Sequence, residues 1–176
     1  MDKTIRVVAE CVFFQGDRIL VDTGYDQVKG ETFFRPLGGS IEFGEAGRDA
    51  IAREIREEIG AEITELHLIE TLENIFTYEG ETGHEIVQVY TANFTDPVFY
   101  QTGVICMRDA EGCDHRAVWK PLSDFGEGGD ILYPDGLLHI LLEWQRMLGM
   151  MQAYYQPDEG PGGFDWDGAL REMHGE

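Results

Sequence analysis

The chain has 176 residues, of which 43% are hydrophobic and 27% charged, a composition typical of one globular domain with a substantial buried core. Its 34 Asp and Glu residues outnumber 13 Lys and Arg residues and give a formal net charge of -21. Such a surface repels nucleic acid and anionic membranes, which excludes both as partners, and a polyanionic ligand would need metal ions or clustered arginines to bind.

The first part of the chain predicts three strands and one helix. Residues 5–14 are rich in β-branched and aromatic side chains and predict a strand, which returns at residues 19–22 through a tight turn. Residues 32–37 predict a short strand that ends at a pair of glycines. A helix is predicted over Gly47–Ile59, because Gly60 stands at the usual position for a helix C-terminus.

The second part predicts three further strands and a second helix. Residues 62–76 and 84–94 are expected to pair as antiparallel strands across a short loop, and residues 116–122 predict a late strand. Residues 134–150 have an apolar stripe at helical spacing, with Pro134 in the first turn.

Strands mixed with two helices indicate an α/β or α+β sandwich. From residue 151 onward the composition shifts to Gly, Pro, Asp and Glu, which is typical of a loosely docked segment. We therefore predict one domain of residues 1–150, followed by an acidic, Gly/Pro-rich tail of residues 151–176.

The three cysteines predict free thiols. Cys11, Cys106 and Cys113 are an odd number at no dense spacing, which argues against a disulfide framework and fits a reducing cytosol. A zinc site formed by Cys106, Cys113 and His115 would have unusual spacing. The first residues lack the apolar stretch of a signal peptide, and no segment approaches the roughly 20 apolar residues of a membrane span. We expect a soluble protein of the cytoplasm.

The predicted helix carries three carboxylates on one stripe. Each residue advances about 100° around the axis, which places Glu54, Glu57 and Glu58 together beside the apolar face. Like charges at this spacing repel, and no lysine lies between Glu42 and Glu65 to separate them. A divalent cation would hold them together, and oxygen ligands alone favour Mg²⁺ or Mn²⁺ over Zn²⁺. The alternative is an acidic face that is simply solvated.

The residues before the helix fit the same site. Gly38 and Gly39 allow the backbone to turn sharply and approach a ligand, and a carbonyl exposed there adds an oxygen for a metal. Glu45 lies near the start of the helix, where a carboxylate is favourable. Arg35 is a candidate to bind phosphate, and the alternative is a surface arginine paired with a nearby glutamate.

The spacing of these residues resembles the Nudix box, the signature of the Nudix hydrolase superfamily. The matching positions are Gly39, Glu45, Arg53, Glu54, Ile55, Glu57, Glu58 and Gly60. The family pattern ends with a bulky aliphatic residue, where this chain has the smaller Ala61. The box covers residues 39–61, and the fuller resemblance, to a bacterial MutT-like member, spans about residues 5–145.

The resemblance implies a mixed sheet sandwiched by helices, and an enzyme that hydrolyses a nucleoside diphosphate linked to another group. It implies that Glu54 and Glu58 are the principal ligands of Mg²⁺ or Mn²⁺. Glu57 matches a further ligand, and Gly39 matches a ligand through its carbonyl. The substrate would be a small nucleotide derivative: a nucleotide sugar, ADP-ribose, a dinucleoside polyphosphate or a modified nucleoside triphosphate.

Catalytic roles follow from the same resemblance. Arg53 matches the residue that orients the glutamates by ion pairing, and Glu45 has a similar supporting role. Family members take the general base either from a glutamate of the box or from an acid of a late loop, here residues 108–115. The loop candidates are Asp109, Glu111 and Asp114, with Glu127 beyond them. We favour Glu111, so that the predicted catalytic set is Arg53, Glu54, Glu57 and Glu111.

Other residues are candidates for substrate contact. The stretches ENIF and GHEIVQVY resemble a subgroup of bacterial Nudix proteins and mark Glu73, His84 and Glu85, although polar positions on an exposed hairpin are the alternative. The aromatic candidates to stack on a base, or simply to pack, are Phe33, Phe76 and Tyr78. The predicted substrate-binding set is Arg35, Gly38, Glu45 and Glu85.

Two other hypotheses are compatible with the sequence. A Nudix-fold module could sense a nucleotide without hydrolysing it, but such proteins usually lose box glutamates, and this chain retains all of them. An acidic scaffold could recruit a partner through residues 151–176. A homodimer is the default expectation for a small enzyme of this kind.

Overall fold

The structure is a computed structural model that describes residues 4–109 and 112–154. Its strands are β1 (Arg6–Val12), β2 (Phe14–Gln15), β3 (Arg18–Asp26), β4 (Glu31–Arg35), β5 (Leu37–Ser40), β6 (Ile63–Tyr78), β7 (Glu81–Phe94), β8 (Val104–Asp109), β9 (Gly112–Pro121) and β10 (Ile131–Leu132). Its helices are α1 (Gly47–Ile59), α2 (Val98–Gln101) and α3 (Leu137–Tyr154).

The described strands form two mixed sheets. The first has the order β5-β1-β7-β6, in which β1 and β7 are parallel and the other neighbours antiparallel. The second has the order β10-β4-β3-β9-β8, with β2 paired to β3 and with β10 parallel to β4. The predicted mixed α+β fold is thereby confirmed, and its strands are divided between two sheets.

Helix α1 contacts β1 and β5 of the first sheet and β8 of the second. Its buried residues are Ala50, Ile51, Ile55 and Ile59. Each isoleucine buried in this way contributes roughly 1.5–3 kcal/mol. The bounds of α1 are those predicted from the sequence, because Gly60 adopts a left-handed conformation with φ 70° and its N–H bonds to the carbonyl of Arg56.

Three segments differ from the sequence prediction. The strand predicted at residues 32–37 is divided between β4 of one sheet and β5 of the other, and the glycine pair lies within β5. The predicted late loop of residues 108–115 is largely strand, since β8 ends at Asp109 and β9 begins at Gly112, directly opposite. The second helix begins at Leu137, whose N–H bonds to the carbonyl of Pro134 at 3.0 Å, so that the proline starts the preceding turn. Neither cross-strand pairing nor this turn leaves a periodic signal in the sequence.

The chain divides after Leu138 into two units. The predicted boundary at residue 150 stays a prediction, and most of the predicted tail, residues 155–176, lies outside the described residues. In the part of the chain that is described, no helix is both long enough and apolar enough to span a membrane.

The prediction that the cysteines are free thiols is contradicted in β8. Cys106 is disulfide-bonded, whereas Cys11 is a free thiol buried in the core. Cys106 lies in β8, and the β8–β9 hairpin brings together residues that are separated in sequence. The number of cysteines and their spacing along the chain do not show which residues such a hairpin brings together.

Asp26 joins the tips of two hairpins, one from each sheet. Its Oδ1 accepts the N–H groups of Val28 and Lys29 at 2.9 Å, and its Oδ2 accepts the N–H of Glu79 at 3.2 Å. Lys29 Nζ also donates to the carbonyl of Thr77 at 2.6 Å. The hydrogen bond from Lys29, and those from Glu79 and Val28, lower the pKa of Asp26 from its ordinary 3.8, against the opposing effect of burial.

Replacing Asp26 by asparagine is expected to lower the melting temperature, because the amide NH₂ would face backbone N–H donors. Since the folded pKa is lowered, the carboxylate stabilises the fold above pH 3.8, and this contribution is lost as the pH falls through the folded pKa. The difference from wild type should therefore be full near neutral pH and shrink in acid. Thermal unfolding over a pH series measures it, with the exposed Asp17→Asn as control. A difference that persists unchanged in acid would contradict this account.

Candidate active site

The box residues lie where β5 leads into α1. Gly38 and Gly39 pair in register with Glu10 and Ala9 of β1. Gly38 has φ 144°, and a Cβ there would lie 2.1 Å from the carbonyl oxygen of Ala9, so the position requires glycine. A Cβ on Gly39 would lie 2.4 Å from Oε1 of Glu54. The second glycine therefore leaves room for a carboxylate of the helix.

Arg53 connects the loop to the helix. Its Nε and Nη2 donate to the two carboxylate oxygens of Glu45, each at 2.9 Å, and Nη2 also donates to the carbonyl of Ser40 at 3.0 Å. Its Nη1 donates to Glu54 at 2.8 Å and to Glu57 at 3.2 Å. The hydrogen bonds from Arg53 lower the pKa of Glu45 to about 2, and the hydrogen bond from the N–H of Glu42 also lowers it. One guanidinium thus fixes the orientation of two predicted metal ligands.

The three glutamates of the stripe have different environments. The side chain of Glu57 is 61% exposed, whereas that of Glu54 is 17% exposed. Glu58 accepts a hydrogen bond from the N–H of Gly38, but its Oε2 is buried and has no hydrogen-bond partner among the described residues. Burial raises the pKa of Glu58 to about 8, Arg35 opposes this rise, and the charge of Glu54 adds to it. Within the part of the chain that the structure describes, the second oxygen of this carboxylate therefore has no cationic partner in hydrogen-bond contact.

These residues have the donors that a divalent cation needs. The buried oxygen of Glu58, the space that Gly39 leaves beside Glu54, and the purely oxygen donor set all fit Mg²⁺ or Mn²⁺. In the described part of the chain, no group of three or more Asp, Glu, His or Cys side chains already converges on one point. Arg53 holds Glu54 and Glu57 by direct ion pairs.

A cavity of about 260 Å³ is lined by two of the predicted substrate-binding residues, Arg35 and Glu85. Arg35 Nε lies 3.7 Å from Oδ2 of Asp22, so its partner is an aspartate and not one of the nearby glutamates. The other two predicted residues lie at the box instead. Glu45 forms an ion pair with Arg53, and the N–H of Gly38 donates to Glu58. The three predicted aromatic candidates, Phe33, Phe76 and Tyr78, all line the cavity.

Glu73 and His84 do not line this cavity. Their side chains pair with each other at 2.9 Å, which matches the alternative of polar positions on a hairpin. Among the candidates for the general base, Glu57 and Glu127 are exposed, and Asp109 and Asp114 lie in β8 and β9. Glu111 lies outside the described residues.

Sequence reasoning missed Glu10 and Asn74, two buried polar residues of the cavity wall. Burial raises the pKa of Glu10 to about 8, Arg35 opposes this, and Glu85 and Glu58 add to it. The available signal was a carboxylate on the same face of the first strand as Val8 and other apolar residues. Only the register of β1 with β5 brings this carboxylate near the box.

A NUDIX domain model matches residues 4–131 of the chain. Similar solved structures include the ORF135 protein of E. coli, with 18% identity, a TM-score of 0.55, and coverage of 81% of this chain and 92% of that one. A MutT NUDIX hydrolase from Burkholderia pseudomallei has 20% identity, a TM-score of 0.50, and coverage of 80% and 98%. An ADP compounds hydrolase has 19% identity, a TM-score of 0.55, and coverage of 85% and 77%. At these identities the structural likeness shows a shared fold.

Proposed function

The chain belongs to the Nudix hydrolase family, and we propose that it uses Mg²⁺ or Mn²⁺ to split a phosphoanhydride bond in a nucleoside diphosphate linked to a second group. The observation that carries this proposal is the buried Oε2 of Glu58, which has no hydrogen-bond partner in the described part of the chain. Glu58 belongs to the same helix as Glu54, which Arg53 holds in place. The positive charge of Arg35 in the cavity wall favours the ionised form of Glu58.

The cation would be held by Glu54, Glu57, Glu58 and the carbonyl of Gly39. When bound, such an ion polarises pyrophosphate oxygens and lowers the pKa of a water molecule. The protein's own residues fix the geometry around it. Arg53 orients Glu54, and the N–H of Gly38 leaves one oxygen of Glu58 free.

The substrate would lie between the box and the cavity. The side chain of Arg35 is half exposed, and its guanidinium carries several N–H groups that can donate to a phosphate. In the reaction, a water oxygen bonds to one phosphorus, the bridging P–O bond breaks, and the departing phosphate keeps the bridging oxygen. A carboxylate takes the proton from the water, and the candidates for this base are Glu57 and Glu111.

The partner in this proposal is a small nucleotide derivative, such as a nucleotide sugar, ADP-ribose, a dinucleoside polyphosphate or a modified nucleoside triphosphate. The net charge of -21 supports the absence of nucleic acid and anionic membranes as partners. A homodimer and a cytoplasmic location stay predictions from the sequence, and the disulfide at Cys106 does not support the argument from free thiols.

The test is a panel of these four substrate classes incubated with the protein and Mg²⁺ or Mn²⁺, with products separated by chromatography. Release of a nucleoside monophosphate that stops when the cation is chelated is the expected result. The panel should include a phosphomonoester as control, since the proposed chemistry cleaves an anhydride and not an ester.

The proposal would be overturned if no member of the panel were cleaved under any of these conditions. Tight calorimetric binding of a nucleotide that stays intact through long incubation would favour the sensing module instead. Cleavage that continues undiminished after chelation would show that the cation is not part of the reaction.

A further inference from the structure

The cavity beside Arg35 has room for one compact group. It is lined by strands β1, β6 and β7 of one sheet and by β3, β4 and β10 of the other. Its volume of about 260 Å³ lies just below the roughly 300–1,000 Å³ that is usual for small-molecule sites. A group the size of one ring system fits this volume better than a complete dinucleotide.

One wall of the cavity is aromatic. Strand β6 contributes Asn74, Phe76 and Tyr78, which lie at two-residue steps and so share one face of the strand. Phe33 of β4 lies across from them, with its ring centroid 5.9 Å from Tyr78 and 5.5 Å from Tyr133 in edge contacts. Such rings offer a planar group a surface for stacking.

Two glycines allow the phenylalanine rings to lie along the wall. Gly24 pairs in register with Phe33, and a Cβ on it would lie 2.2 Å from that ring. Gly83 pairs in register with Phe76, and a Cβ on it would lie 2.4 Å from that ring. A larger residue at either position would displace a ring. The same cross-strand arrangement therefore occurs in both sheets.

The charges of the wall disfavour phosphate inside the cavity. Each cationic side chain in the described lining lies 3.5–3.8 Å from an acid. These pairs are Arg6–Glu85, Lys29–Asp26 and Arg35–Asp22. Glu31 is a further acid in the lining. With more acids than cations, the interior suits a neutral group, and the phosphates are better placed outside, near Arg35 and the box.

Asn74 is the polar group that a neutral ligand would meet. The residue is 5% exposed, and its Oδ1 is buried with no hydrogen-bond partner among the described residues. Buried polar atoms are nearly always paired, so this oxygen requires a donor that the described chain does not supply. A carboxamide carries an acceptor beside two donors and can pair with the edge of a base at two points.

Building on the proposed function, we infer that this cavity is the subsite for the nucleobase of the substrate, and that Asn74 selects among bases through its carboxamide. The base stacks on the aromatic wall, and the diphosphate extends past Arg35 towards the box. Asn74 is thus a specificity-determining residue.

The experiment is calorimetric titration of the full chain, with Mg²⁺ present, using AMP, GMP, CMP and UMP as probes. Wild type is expected to prefer one base by at least about tenfold. Asn74→Leu should weaken that preferred probe by about 10- to 100-fold and remove the preference, because one or two hydrogen bonds are lost. Its melting temperature should be unchanged or higher, since leucine is close in size and leaves no buried polar atom without a partner.

Two further variants test whether the loss of preference is specific to the carboxamide of Asn74. Asn74→Ala removes the same hydrogen bonds by a different route and is expected to remove the same preference. Ile75→Ala alters the next residue of β6, whose side chain is 62% exposed and lies on the opposite face. The preference of Ile75→Ala should equal that of wild type.

The inference would be overturned if wild type bound the four probes equally, or if both Asn74 variants kept the wild-type ratio of affinities. This outcome is distinct from failure of the proposed function. A protein that cleaves phosphoanhydrides but binds all four probes equally would lose only the subsite. A protein that cleaves nothing would lose the proposed function, and the titrations would still decide the role of Asn74.

Discussion

Replacing Glu58 by glutamine is expected to lower kcat by at least about 100-fold and to weaken Mn²⁺ binding, while the fold is retained. A bound cation stabilises the transition state by several kcal/mol, and each 1.36 kcal/mol corresponds to a factor of ten in rate. Glutamine keeps the size of the side chain and an acceptor for the N–H of Gly38, but it removes the charge at the buried Oε2. Steady-state kinetics and electron paramagnetic resonance of added Mn²⁺ measure the two effects.

The matched control is Glu62→Gln, which changes a glutamate just after α1 that pairs with Arg56 and not with Arg53. Its kcat and Mn²⁺ affinity should equal those of wild type. Undiminished activity of the Glu58→Gln variant would contradict the proposed metal site. Glu57→Gln separates two roles of that residue, because a ligand would affect both measurements, whereas a general base would affect kcat alone.

Helix α1, which carries the predicted metal ligands, could be predicted from the sequence because its signals are local. Gly60 ends α1 through a left-handed conformation that glycine adopts without strain, and the buried face of α1 repeats at helical spacing. The clustering of Glu54, Glu57 and Glu58 on one stripe follows from the same geometry. Such features depend on residues within a few positions of each other.

The cavity could not be predicted in this way, because it depends on strand register. Glu10 comes close to the box only through the pairing of β1 with β5, and these strands are about 30 residues apart in sequence. In β6, two adjacent residues lie on opposite faces of the strand, and only one of them lines the cavity. Glu73 pairs with His84 on one face, whereas Asn74 lines the cavity on the other. A shift of one residue exchanges the two faces of a strand, and the sequence alone does not determine that shift.

The burial of each glutamate on the stripe also could not be predicted from the sequence. Helical geometry places Glu57 and Glu58 side by side, yet the side chain of Glu57 is 61% exposed and an oxygen of Glu58 is buried. The difference arises because β5 and its glycines cover one side of the stripe, where Gly38 contacts Glu58. Tertiary packing therefore divides a stripe that looks uniform in the sequence.

Replacing Arg53 by lysine is expected to lower kcat by about 10- to 100-fold, which is the usual cost of removing a residue that orients metal ligands. A lysine amine cannot reproduce the five hydrogen bonds by which Arg53 holds Glu45, Glu54, Glu57 and the carbonyl of Ser40. The substrate KM should change little, since Arg53 does not line the cavity. Kinetics and Mn²⁺ titration of the variant measure these effects.

Arg56→Lys is the matched control for this prediction, because Arg56 lies in the same helix and makes an equally close double contact, but with Glu62. Both substitutions remove one guanidinium and its ion pairs from α1, and Arg56 is the more exposed of the two residues. Only Arg53→Lys should lower kcat and Mn²⁺ affinity. If Arg53→Lys lost activity only near its melting temperature and regained wild-type kcat in the cold, Arg53 would stabilise the fold without positioning the glutamates. A loss of kcat that persists far below the melting temperature, with KM unchanged, identifies Arg53 as the positioning residue of the site.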